Sequence, residues 1–172
     1  YRKIVFLGMP CSGKTSIGKA VAKQLNCRFL DMDELIEKRM GITVPQIFER
    51  YGEAGFRNLE QLLAQRLAKT KQVVISTGGG IVLRPESIEP LLPESFVIFL
   101  NRDFMKLANT PRRVMDKRPL LREKSMDEFF AMYRERLPLY RKYCTVEIPN
   151  DRHREDAVRR ILDILEESGI VL

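Results

Sequence analysis

The run Gly8-Met9-Pro10-Cys11-Ser12-Gly13-Lys14-Thr15 meets the pattern G-x-x-x-x-G-K-[ST] at every specified position. Its flanks decide the fold. Arg2 to Leu7, before it, reads as a buried strand, and Lys14 to Leu25, after it, reads as a helix with Ile17, Val21 and Leu25 on one face. A strand feeding a glycine loop that opens a helix turns backbone N–H groups and the positive helix end onto one point, which suits a phosphate. Lys14 would neutralise the β and γ oxygens of a nucleotide there, and the Thr15 hydroxyl would ligate Mg2+. Cys11 lies inside this loop, either as a thiol made oxidisable by nearby donors or as a small filler.

Outward from the loop, strands and helices alternate. Arg28 to Leu30 reads as a short strand leading into Asp31-Met32-Asp33, then a helix through Met40 that Gly41 ends. A helix pair is expected at about Val44 to Tyr51 and Glu53 to Lys69, the second with Phe56, Leu59, Leu63 and Leu67 as an apolar stripe. Gln72 to Thr77 reads as a strand running into Gly78-Gly79-Gly80, and Phe96 to Leu100 as the next, with a short helix between Pro85 and Pro93. Residues 102–109 and 125–137 read as helices on either side of a basic loop. A last strand, Thr145 to Ile148, precedes a helix with Ala157, Ile161, Leu162 and Leu165 on one face. Strands separated by helices pair in parallel with helices on both sheet faces, so the fold class is α/β, a three-layer sandwich. Ligands collect at the carboxyl ends of such strands, where Gly8, Asp31, Asp33 and Gly78 all fall.

The 172 residues correspond to one domain, with 44% hydrophobic and 31% charged residues, values that exclude a disordered chain or a coiled coil. The longest apolar run, Phe96 to Leu100, is far short of the ~20 residues that cross a bilayer. Three widely spaced cysteines and a single histidine offer neither a disulfide framework nor a His/Cys metal site, and a reducing, cytoplasmic setting is expected. The net charge of +7 raises the question of nucleic acid. The excess concentrates between Arg112 and Lys142, ten basic residues against five acidic. That stretch holds few aromatics and no RNA-binding signature, so a solvated surface with a site for a small polyanion is the better account.

A loop of this type usually works with an acid at the end of an apolar strand, yet Val73-Val74-Ile75-Ser76-Thr77 ends without one. Asp31 is the nearest candidate for the metal shell. Asp33 would point to the same side if the stretch stays extended, leaving one acid for the metal and one for an acceptor hydroxyl; alternatively Asp33 caps the following helix. Arg57 and Glu60 share a helix face, as part of a site or as a solvent-exposed ion pair. The glycine triplet allows a ligand close to the backbone or simply makes a tight turn with positive φ. Arg136 follows the basic loop, near Pro138 and Tyr140. Together these residues suit a small acceptor with an anionic group and hydroxyls: arginine forks for a carboxylate, Asp33 for a hydroxyl proton, and Arg118 reaching over the phosphates.

The ordered set Gly8 to Thr15, Asp31-Met32-Asp33, Gly52-Glu53 with Phe56-Arg57 and Glu60, Gly78-Gly79-Gly80, Arg118-Pro119-Leu120-Leu121 and Arg136-Leu137-Pro138-Leu139-Tyr140 resembles shikimate kinase over nearly the whole chain. The resemblance implies transfer of the ATP γ-phosphate to the 3-hydroxyl of shikimate, on the way to chorismate and the aromatic amino acids. It also implies a nucleoside-monophosphate-kinase-like fold with five parallel strands in the order 2-3-1-4-5. One kinase domain over residues 1–172 would carry acceptor-binding helices at about 33–62 and a mobile lid at about 110–124. By resemblance, Asp33, Arg57, Gly78, Gly79, Gly80 and Arg136, with Glu60, hold shikimate. Asp33, Lys14 and Arg118 carry the chemistry. Cys11, Ser12, Gly13, Lys14, Thr15 and Ser16 cradle the nucleotide with Arg118 and Arg152, and Thr15 and Asp31 hold Mg2+. The expected partners are ATP and shikimate alone, with no nucleic acid or membrane, acting on a monomer. The family usually has Arg-Thr where this chain has Asn109-Thr110, and that arginine stacks on adenine. The segment Thr110 to Arg118 is also two residues longer than usual, with Arg112 and Arg113 as substitutes. The competing readings are another small-molecule kinase of this loop type, such as a gluconate kinase, and a non-catalytic basic binding protein.

Overall fold

The computed structural model describes residues 1–109 and 124–172. The basic loop assigned above to a lid, with Arg112, Arg113 and Arg118, therefore lies outside the described residues apart from Lys124. Five strands, β1 (Lys3–Leu7), β2 (Arg28–Asp31), β3 (Val73–Ser76), β4 (Ser95–Asn101) and β5 (Val146–Pro149), form one sheet in the order β2-β3-β1-β4-β5. Every neighbouring pair is parallel, as the alternating pattern implied. β1 is central and wholly buried; even Lys3 is enclosed, its Nζ donating to the Ala68 carbonyl at 3.1 Å.

Among the described residues, the α-helices are α1 (Lys14–Gln24), α2 (Met32–Met40), α3 (Val44–Leu67), α4 (Pro85–Ile88), α5 (Phe104–Ala108), α6 (Met126–Tyr143) and α7 (Arg154–Glu167). Successive strand residues point to opposite faces, so β1 feeds two separate cores. Ile4 and Phe6 pack with Ile17 and Val21 of α1 and Ile161 and Leu165 of α7. Val5 and Leu7 pack on the other side with Ala64 and Leu67 of α3 and Phe129, Met132 and Tyr140 of α6. No helix among the described residues is long and apolar enough to cross a membrane, and Cys11, Cys27 and Cys144 are free thiols.

Three local differences from the sequence expectations bear on the site. The Asp31-Met32-Asp33 stretch does not stay extended. Asp31 is the N-cap of α2, its side chain accepting from the Glu34 N–H at 3.0 Å, so Asp33 lies in the first helical turn rather than capping it. The expected helix pair around residue 52 is joined end to end, with Gly52 alone leaving helical geometry at φ 70° and ψ 178°. α6 does not stop at residue 137 but runs through Pro138 to Tyr143. A proline inside a helix costs a hydrogen bond, yet burial of Arg136 and Tyr140 on either side of it holds the turn in place.

Candidate active site

The carboxyl end of β1 turns sharply at Gly8, where a Cβ would stand 2.6 Å from the Leu100 carbonyl oxygen. Cys11 adopts φ 67°, a left-handed conformation that a non-glycine residue takes only where the surrounding loop demands it. Ser12 is fully buried beneath the loop. Lys14 folds back over it, its Nζ donating to the carbonyls of Gly8 at 2.7 Å and Met9 at 2.8 Å. Above the loop opens a cavity of about 520 Å³ lined by the loop residues Cys11, Gly13, Lys14, Thr15 and Ser16. Asp31, Asp33, Ser76, Thr77 and Gly79 close one side of it, and Arg102, Lys106 and Asn109 the other.

β3 ends in hydroxyls instead of an acid, and Asp31 stands beside Ser76 on the neighbouring strand. The Thr15 hydroxyl donates to Asp31 Oδ2 at 2.7 Å, so the loop threonine and the acid meet at the cavity wall. Thr77 is fixed differently: its hydroxyl donates to the Phe6 carbonyl at 2.6 Å and ties β3 to β1.

Arg57 and Glu60 are not a solvent-exposed pair. Arg57 Nη1 donates to Glu60 Oε1 at 3.0 Å, with only 9% and 0% of the two side chains exposed. Burial pushes the Glu60 carboxyl up to about 7, with Arg57 pulling it down, Asp33 pushing it up and Arg136 pulling it down less strongly. Glu60 Oε2 and Arg57 Nε have no hydrogen-bond partner among the described residues. The glycine triplet explains why these groups fit. None of the three takes positive φ; instead each gives room for a neighbour. A Cβ on Gly78 would sit 2.7 Å from Glu60 Oε2 and 3.2 Å from Asp33 Oδ1, one on Gly79 would sit 2.6 Å from Pro10 Cδ, and one on Gly80 would collide with the Arg57 guanidinium. The triplet does make a turn, the Ile81 N–H donating to the Gly78 carbonyl at 3.2 Å, but without the expected positive φ, and the room at each glycine is taken by a side chain from another element.

Tyr140, which sequence reading left outside the site, donates its hydroxyl to the Gly79 carbonyl at 2.6 Å. Burial raises that phenol to about 12, so it remains a donor, while the nearby Arg136 favours the opposite form. Arg136 is itself 4% exposed. Asp33, Arg57, Glu60 and Arg136 thus meet around Gly78 to Gly80 on one side of the loop. On the other side, Arg154 Nη1 donates to Ser16 Oγ at 2.8 Å. Arg152 is exposed and lines a neighbouring cavity of about 280 Å³, with Asn150, His153 and Arg160. Tyr140 stood in the quoted Arg136 to Tyr140 motif without a role of its own, whereas Asn150, Arg102 and Lys106 belonged to none of the quoted motifs; Asn150 and Arg102 each directly follow a strand.

A family model described as shikimate kinase matches residues 10–166. Among curated relatives, the shikimate kinase of Clostridium beijerinckii is 40% identical over 163 residues, covering 95% of this chain and 94% of that protein. The shikimate kinase of Acinetobacter baumannii, solved in complex with shikimate, superposes with a TM-score of 0.90 at 32% identity, covering 97% of this chain and 94% of that one. The Aquifex aeolicus shikimate kinase gives 0.85 at 33% identity over 98% of both chains. A gluconokinase from Sinorhizobium meliloti shares the fold alone, at a TM-score of 0.60 and 19% identity over 96% of this chain and 92% of that one.

Proposed function

Since this chain belongs to the shikimate kinase family, we propose that it transfers the γ-phosphate of ATP to the 3-hydroxyl of shikimate, giving shikimate 3-phosphate and ADP. The observation that carries this reading is the burial of two guanidiniums, Arg57 and Arg136, beside Asp33 and the glycine triplet. A buried fork with a bare Nε suits a planar carboxylate, and shikimate brings one together with ring hydroxyls. In this proposal Arg57 and Arg136 grip the carboxylate, Gly78, Gly79 and Gly80 with Glu60 complete the pocket, and helices within 33–62 form its walls. Asp33 takes the proton of the attacking hydroxyl.

On the nucleotide side, the N–H groups from Cys11 to Ser16 and the Lys14 ammonium would cradle the phosphates. Lys14 and Arg118 offset the negative charge that spreads over the equatorial oxygens in the transition state. Arg152 is assigned to the nucleotide from its sequence position, and residues 110–124 are assigned to a water-excluding lid. The donor set also fits Mg2+. This ion takes one or two hard oxygens from a protein, and the Thr15 hydroxyl and Asp31 carboxylate, 2.7 Å apart at the wall, are such a pair. Held there by Thr15 and Asp31, Mg2+ would supply positive charge to offset that of the phosphates. We further propose that the chain acts as a cytoplasmic monomer on these two small substrates, without nucleic acid or membrane.

The reading is tested by coupled ADP release with Mg-ATP and a panel of shikimate, gluconate and nucleoside monophosphates. Turnover stimulated by shikimate alone is expected; equal background with every acceptor would reject it. A pH series tests the clamp. Glu60, facing Arg57, Asp33 and Arg136, holds a proton more tightly in the folded protein than in the unfolded chain. Its raised pKa contributes stability that is fully present below about 4.5 and is lost as pH rises through about 7. Once ionised, it also competes with the substrate carboxylate for Arg57. The KM for shikimate therefore rises above pH 7, by at most about tenfold per pH unit for one proton. Glu60→Gln flattens that rise. Parallel profiles for the two proteins would refute the coupling.

A further inference from the structure

Asn150 follows the last strand, at the sheet edge remote from Asp31 and Asp33, yet its side chain reaches the phosphate loop. Asn150 Nδ2 donates to the Ser12 carbonyl at 2.7 Å across 138 residues of sequence. The residue is 4% exposed and its backbone N–H donates to the Asn101 carbonyl at 3.0 Å, so it is held at its main chain and at Nδ2, while Oδ1 has no hydrogen-bond partner among the described residues. Gly13 is shaped to receive it: a Cβ there would lie 2.7 Å from Asn150 Nδ2, and the glycine takes φ 101°.

We propose that Asn150 is a positioning residue for phosphate binding, setting the direction of the Ser12–Gly13 peptide. In a trans peptide the C=O and the following N–H point in opposite directions. Asn150 opens onto the neighbouring cavity, whereas Gly13 lines the one above the loop. Drawing the Ser12 carbonyl towards Asn150 therefore turns the Gly13 N–H towards the phosphate position. A glycine next to this peptide offers little steric resistance to its rotation. The amide supplies the restraint that the glycine lacks. The proposal deepens the reading above on its nucleotide side only, so a failure of shikimate turnover would leave it standing.

Calorimetric titration of ADP, and separately of inorganic tripolyphosphate, into wild type, Asn150→Ala and Asn150→Asp tests it. Both ligands are expected to weaken on the order of 3- to 10-fold in either variant, as for one lost hydrogen bond. Asn150→Asp should lose at least as much as Asn150→Ala, since it keeps the size and replaces the donor with a group that repels the Ser12 carbonyl. The KM for shikimate should stay within about twofold while that for ATP rises; a purely structural role would lower thermal stability without this split. Unchanged affinities in Asn150→Asp, or a loss for ADP without one for tripolyphosphate, would overturn it. In the wild-type protein the Gly13 amide resonance should also shift on adding tripolyphosphate. An unmoved resonance counts equally against the proposal, whether or not the variants fold.

Discussion

Asp33→Asn is expected to lower turnover with shikimate by roughly 10²- to 10⁴-fold, the usual contribution of a positioned proton acceptor. The dissociation constant for ADP should stay within about twofold. The substitution keeps the shape of the side chain and removes its capacity to take a proton. Its surroundings stay fixed, because Asp31 caps the helix that carries residue 33 and Met32, between them, is fully buried. In the phosphate loop, Thr15 meets Asp31 and Lys14 donates to the Gly8 and Met9 carbonyls, contacts that the substitution leaves in place. Steady-state kinetics with calorimetry would decide the matter. Turnover equal to wild type would remove Asp33 from the chemistry, and a parallel loss of ADP affinity would move it to the nucleotide.

Arg57→Ala is expected to act twice. A carboxylate that loses a charged hydrogen bond in a buried site loses about 1.5 to 3 kcal/mol, which places the rise in KM for shikimate at roughly 10- to 150-fold. The same change leaves Glu60, fully buried, without its guanidinium. Breaking a buried pair costs about 3 to 5 kcal/mol when the remaining charge cannot escape. Here it can, because the Glu60 carboxyl, already pushed up to about 7, takes a proton. The loss of thermal stability should therefore be smaller at pH 6 than at pH 8. Arg57→Lys keeps a charge but loses the fork, and should fall between wild type and alanine in KM. A wild-type KM in Arg57→Ala would contradict the clamp, and a pH-independent stability loss would contradict the proton on Glu60.

What was legible in the sequence was local. The phosphate loop declared itself because its spacing and its strand and helix neighbours lie within about two dozen residues, and strands alternating with helices implied the parallel sheet. Asp31 was a candidate for the metal shell because β3 lacked an acid at its end, and its contact with Thr15 came from the structure. Contacts made across long stretches of chain were not legible. Nothing near Asn150 marks it for Ser12, and nothing near Tyr140 marks it for the Gly79 carbonyl. The glycine triplet was visible, but the reason for it depended on Arg57, Glu60 and Pro10 arriving from other elements. At Pro138 the local rule for ending a helix was overridden by the burial of the residues around it. The solvent-exposed alternative for Arg57 and Glu60 failed for the same reason, since helical spacing places two side chains on one face without saying what covers it.

The sheet order carries one more consequence. The central strand holds the loop, but Asp31 and Asp33 hang from β2 and Asn150 from β5, the two margins of the sheet, where much of the backbone is only partly covered. Margins open more readily than centres. Amide exchange should accordingly be fastest in these outer strands and slowed there by ligands, with little change in β1. On warming, catalytic competence should fade before the interior melts, leaving a folded but idle protein over a narrow range of temperature.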